Sequence, residues 1–211
     1  TVKSSDDGLN AKDWTLESSE AQRPAQQTKT VKAEAANAKN LDQAGDVKIV
    51  IDGGTLTVDA EGDGLDANGS IEINGGTVVV NGPTSGANAA LDYDNNAKLN
   101  GGTVLFVDNG GMTMGFGSDS SQAFLMASVQ GAAGATVEVV DSSGKTVASL
   151  KASKSFSTVL ISSPEIKEGE KYTIKVGSNS TTATASKQAT NVGGGPGGSG
   201  RPGQGGRPGG R

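Results

Sequence analysis

The sequence predicts an all-β protein: a short right-handed parallel β-helix, then a small antiparallel β unit and a Gly/Pro-rich tail. Three observations carry this. First, 33 of 211 residues are glycine, only 33% are hydrophobic and 3% aromatic, which fits short strands with many turns and not a helical bundle. Second, Gly-Gly-Thr recurs at 53–55, 75–77 and 101–103, preceded each time by Asp52, Asn74 or Asn100, at spacings of 22 and 26 residues. Third, each copy is flanked by segments with period-two alternation, the signature of half-buried strands.

In chain order, Asp7-Gly-Leu-Asn-Ala11 is the first copy of a second motif, repeated as Asp63-Gly-Leu-Asp-Ala67 and, more weakly, as Ala89-Ala-Leu-Asp-Tyr93. An insert, 18–45, rich in Ala, Gln, Lys and Glu, lacks strand pattern and reads as a loop with a short helix around Val31–Asn40, or as disordered. Next come the alternating pairs Lys48–Ile51 and Thr55–Val58, Ser70–Ile73 and Thr77–Val80, Asn96–Leu99 and Thr103–Phe106. Hairpins account for each Asn-Gly or Gly-Gly turn locally. Stacked coils also account for the recurrence of the whole unit, because one coil alone cannot bury its apolar face. Stacking aligns Ile49/Ile71, Ile51/Ile73/Leu99, Leu56/Val78/Val104, Val58/Val80/Phe106 and Leu9/Leu65/Leu91 as inward columns. It also aligns Asp52, Asn74 and Asn100 as a hydrogen-bonded ladder at a corner.

From about Ser121 the pattern changes. Ala135–Val140 and Lys145–Leu150 flank Asp141-Ser-Ser-Gly144 as a hairpin, and Ser157–Ile161 and Lys171–Val176 add strands. This unit is expected to pack on or cap the last coil, whose bare edge needs cover. Ser178–Gln188 reads as a linker. The Gly/Pro tail, with Arg201, Arg207 and Arg211 and no acid, cannot build a core. It reads as a solvated tail, a contact with an anionic wall polymer, or an assembly arm. The domain boundaries are therefore 1–116 for the coils with insert 18–45, 117–178 for the β unit, and 179–211 for linker and tail.

Several function classes are disfavoured. Cysteine and histidine are absent, which removes thiol chemistry, the usual general base and the commonest zinc ligand. A net charge of -5 disfavours nucleic-acid binding, and no run approaches the length of a membrane span. The opening TVKSSDDGLNAKD reads as the middle of a domain, so a leader outside this sequence is expected.

The acidic loops are the main chemical signal. Calcium takes six to eight oxygen ligands. The loop Glu61–Ser70 offers Glu61, Asp63, Asp66 and Asn68, and stacking brings Asp6, Asp7 and Asn10 from one side and Asp92 and Asp94 from the other. An EF-hand is rejected, because Ser70 stands where the bidentate acid belongs and the flanks are strands. The alternative is that these acids only form turns. Paired carboxylates for glycoside hydrolysis are a weak signal among so many Asp residues. A lyase base has one arginine before the tail, Arg23, and several unremarkable lysines. No catalysis is expected. Trp14 and Tyr93 are candidate sugar platforms; packing on the insert is the alternative for Trp14. Tyr93, between Asp92 and Asp94, is expected to face outward, with a plain turn role as its alternative.

The strings GDGLDANGSIEINGGTVVVNGPTSGANAALDYD, LNGGTVLFVDNGGM and VEVVDSSGKTVASL closely resemble the bacterial, clostridial-type carbohydrate-binding domain-containing proteins with a pectate-lyase-like parallel β-helix. The resemblance covers roughly residues 1–177 apart from the insert. It implies a secreted or cell-surface protein that binds calcium and acidic or plant-type polysaccharide without established lyase activity. Asp6, Asp7, Asp63 and Asp66 match the family's acidic repeats. The chain departs from the pattern by starting inside a repeat, which leaves the N-terminal ligand set short. An uncapped first coil would expose strand edges, so the second functional reading is a self-assembling subunit of an extracellular filament or surface layer.

Overall fold

The computed structural model describes residues 1–5, 7–11, 31–34, 47–85, 88–109 and 112–188. Among them the chain is all-β, with no helix. The strands are β1 (Val2–Ser4), β2 (Leu9–Ala11), β3 (Val31–Glu34), β4 (Lys48–Ile51), β5 (Thr55–Ala60), β6 (Leu65–Ala67), β7 (Ser70–Ile73), β8 (Thr77–Asn81) and β9 (Leu91–Tyr93). They continue as β10 (Asn96–Leu99), β11 (Thr103–Asp108), β12 (Leu125–Gly131), β13 (Thr136–Val140), β14 (Thr146–Lys151), β15 (Phe156–Ser162), β16 (Lys171–Val176) and β17 (Asn179–Thr184).

The repeats pair like with like. β4, β7 and β10 run parallel, as do β1, β5, β8 and β11, and β2, β6 and β9. The register sets Ile51, Ile73 and Leu99 side by side. The same holds for Leu56, Val78 and Val104, for Val58, Val80 and Phe106, and for Leu9, Leu65 and Leu91. All but the half-buried Leu9 are buried in one continuous core. Each such side chain contributes roughly 1.5–3 kcal/mol on burial. A one-residue slip would turn every column outward, so the alternation itself fixes the register.

The corners are held by side chains. Asn74 Nδ2 donates to Asp52 Oδ1 at 2.9 Å and Asn100 Nδ2 to Asn74 Oδ1 at 2.8 Å. The rungs follow the repeat, so the motif's variable first residue must stay Asp or Asn. The second glycine of each copy has positive φ, 81° at Gly54, 90° at Gly76 and 98° at Gly102, a conformation in which a Cβ is strained.

β5 buries only alternate residues, whereas β8 and β11 are buried on both faces. The reason lies in a second core. Val79, Leu105 and Val107 point away from the first core and pack against Val137, Val139, Ile174 and Tyr172 of the antiparallel sheet β14-β13-β16-β17. Hence Thr-Leu-Thr-Val in β5 becomes the nearly continuous apolar run Thr-Val-Leu-Phe-Val in β11. The C-terminal unit does both things expected of it. Its second sheet covers the outer face, and β15 pairs antiparallel with β11 to cover the last parallel edge. The other two arrays are covered by the segment after β11: Met114 N–H donates to Leu91 O, Gly117 N–H to Ala97 O and Gln122 N–H to Leu99 O. Phe116, stacked edge-on between Phe106 and Phe124, fills that end of the core.

Two expectations are corrected. The helix around Val31–Asn40 does not hold over Val31–Glu34, which is β3, antiparallel to β4; the strand covers the first edge of that array. The linker 178–188 contains β17, which pairs along all of β16. Gly177, with φ 58°, makes the tight turn, and the Thr residues of β17 suit an exposed edge strand. The rest of the insert and the tail from residue 189 lie outside the described residues.

Candidate functional site

The acidic motif sits where β2, β6 and β9 begin. Gly8 N–H donates to Asp63 O at 2.7 Å and Leu9 N–H to Gly64 O at 2.9 Å, and one repeat on, Gly64 N–H donates to Ala89 O at 2.9 Å and Leu65 N–H to Ala90 O at 3.1 Å. The glycine of the motif is there because of close approach: a Cβ on Gly64 would lie 2.2 Å from Val80 Cγ1 and 2.5 Å from Ala90 O. The carboxylate before it serves the next repeat. Asp7 Oδ1 accepts from Asp63 N–H at 3.0 Å, and Asp63 Oδ1 accepts from Ala89 N–H at 2.6 Å.

Carboxylates from the two repeats converge here. Asp7, Asp63 and Asp66 each offer an oxygen, and these lie within 4.8 Å of one another. Asn10 stands among them, with Nδ2 2.6 Å from Asp7 Oδ2 and 2.7 Å from Asp66 Oδ2. Among the described residues its Oδ1 is buried without a hydrogen-bond partner, which is unusual for a buried acceptor. The three carboxylates come from two successive repeats and supply part of the six to eight oxygens that a hard cation such as calcium takes, with the Asn10 amide nitrogen now facing two of them.

The other predicted ligands are placed elsewhere. Glu61 pairs with Lys154 at 2.9 Å. Asp92 is in register with Asp66, but its Oδ1 accepts from Tyr93 N–H at 2.9 Å, and Asp94 Oδ2 accepts from Asn68 Nδ2 at 3.2 Å. The donor set forms at the first seam and not the second, because Ala89 stands where a second Asp63 would be. Asp6 and Trp14 lie outside the described residues.

Tyr93 corrects its expected orientation. It is two residues from Leu91 and so shares that inward face, in register with buried Ala67. The ring packs on the core and the hydroxyl donates to Gly115 O at 2.6 Å. Burial, then the charges of Asp92 and Asp119, push its phenol above the ordinary value.

Sequence reading missed two charged partners. Lys154, in the β14–β15 turn, reaches Asp59 Oδ1 at 3.0 Å as well as Glu61, and donates to Ala60 O at 2.6 Å. Asp119 pairs with Lys98 at 2.7 Å and accepts from Asn96; these hydrogen bonds hold its carboxyl below the usual range. No helix among the described residues is long and apolar enough to cross a membrane. Comparison with protein-family models, curated proteins and solved structures yields no match.

Proposed function

We propose that this chain is a secreted or cell-surface, non-catalytic adhesion module that binds calcium and, with it, acidic polysaccharide, on a short right-handed parallel β-helix. The three parallel arrays, each joining the same segment of successive repeats, support the β-helix reading. The observation that carries the function is the all-oxygen cluster of Asp7, Asp63 and Asp66 with the unpartnered Asn10 Oδ1. A half-turn of the Asn10 amide exchanges its donor for an acceptor and adds a fourth oxygen. A cation held by side chains at the surface keeps ligand positions for water or for the carboxylates of a uronate polymer.

The filament alternative is weaker. Among the described residues the C-terminal ends of the three arrays are covered, by β15 and by the segment 112–122, so that end offers no strand to a following copy.

The test is affinity electrophoresis of the full chain in polygalacturonate gels, with calcium or with EDTA. Calcium should retard the wild type and leave Asp66→Ala faster. Equal mobility of the two with calcium would refute the reading.

A further inference from the structure

A second binding feature lies away from the acidic cluster. A cleft of about 360 Å³ opens between the last corner of the repeats and the loop that follows β15, lined by Asn100, Ser121, Gln122, Ile166, Lys167 and Lys187 among others. Its lining also includes the exposed Pro164, the Glu168 carboxylate, and Ala123 and Ile166, whose side chains are almost wholly buried. Its walls carry hydrogen-bonding groups already fixed by the fold. Gln122 Nε2 donates to Gly102 O at 2.8 Å and to Ser162 Oγ at 2.7 Å, which fixes the amide. Asn100 ends the corner ladder, with Ser121 Oγ 3.4 Å from its Oδ1.

The charges are unequal. Lys187 pairs with Glu168 at 3.2 Å, whereas Lys167 has no carboxylate partner among the described residues. The Lys167 backbone is held, its N–H donating to Tyr172 Oη at 2.9 Å. In a chain of net charge -5, an ammonium without a carboxylate partner among the described residues, beside exposed Pro164 and hydroxyl- and amide-bearing walls, suits an anion that also has C–H faces and hydroxyls. The volume falls in the range of small-ligand sites.

We propose that this cleft binds one carboxylate-bearing sugar unit, with Lys167 on the carboxylate, Ser121 and Gln122 on hydroxyls, and the ring face on Pro164. The inference rests on the polysaccharide reading above and adds a cation-independent subsite to it.

The test is a calorimetric titration of the full chain with oligogalacturonate and with its methyl ester, in EDTA and again in calcium. In EDTA the wild type should bind the free acid and not the ester. Lys167→Ala should weaken that binding by about tenfold or more, the low end for a hydrogen bond to a charged group, and Lys167→Arg should retain most of it. The calcium-dependent increment should be the same in Lys167→Ala as in the wild type. Binding seen only with calcium overturns the cleft and leaves the cation reading standing. Binding in EDTA that ignores Lys167→Ala, or is equal for acid and ester, also overturns it. Binding in neither condition refutes both.

Discussion

Replacing Lys154 with Met should destabilise the molecule, because this side chain adds an ionic tie between the β14–β15 turn and a repeat 94 residues earlier, beside the Ser153 hydroxyl on Asp59 and the β11–β15 pairing. The side chain is 14% exposed, its partners Asp59 and Glu61 24% and 58%. Glu61 is too exposed for its ion pair to count for much. The half-buried Asp59 carboxylate at 3.0 Å and the Ala60 carbonyl at 2.6 Å are charge-assisted contacts, each worth roughly 1.5–3 kcal/mol before offsets. The ammonium's desolvation offsets part of this, and Met keeps the packing of the lysine stem. The net loss should be about 2 kcal/mol. With a urea m-value of about 2 kcal/mol/M, the unfolding midpoint falls by about 1 M. The assay is urea denaturation of wild type, Lys154→Met, Asp59→Asn and the double variant. The cycle should give a coupling of about 1 kcal/mol. A loss below about 0.5 kcal/mol, or additive single effects, would refute the clamp.

Other outcomes follow from the same geometry. Gly64→Ala forces a Cβ to within 2.2 Å of Val80 Cγ1 and 2.5 Å of a backbone oxygen, so thermal or urea unfolding should reveal a loss of about 2 kcal/mol or more, in the range for overpacking; unchanged stability would mean that the seam is loose. Asp119 has a depressed carboxyl, because Lys98 and Asn96 hydrogen-bond to it. On acidification the unfolded chain therefore takes up that proton first, so the contribution is whole above the unfolded value of about 4 and is lost as pH falls through the lower folded value. Asp119→Asn should flatten the acid limb of the stability curve, most visibly at low salt; an unaltered limb would count against the pair.

The repeat was legible because its information is local and periodic. Gly-Gly-Thr with its preceding Asp or Asn marks the corner, and the inward columns and the Asp52/Asn74/Asn100 ladder follow from stacking equal positions. What was not legible depended on distant parts of the chain. Nothing near Glu61 tells that Lys154 will take it. β17 has the composition of a linker and is a strand only because β16 offers it an edge. Val79 and Leu105 were readable as strand residues but not as the floor of a second core, since that needs the sheet of β13, β14, β16 and β17 later in the chain. Tyr93 was legible in principle, for a count of two from Leu91 puts it inward. At the cation cluster the chain supplied the right motif, but the substitution of Ala89 for the third Asp limits the site to one seam.

The most direct test of the account is a calorimetric titration of calcium into the wild type, Asp66→Asn and Asp63→Ala/Asp66→Ala, with circular dichroism confirming that each is folded. The account predicts a saturable heat in the wild type, weakened in Asp66→Asn and absent in the double variant. Identical heats in all three proteins would contradict it and return the acidic loops to the role of turns.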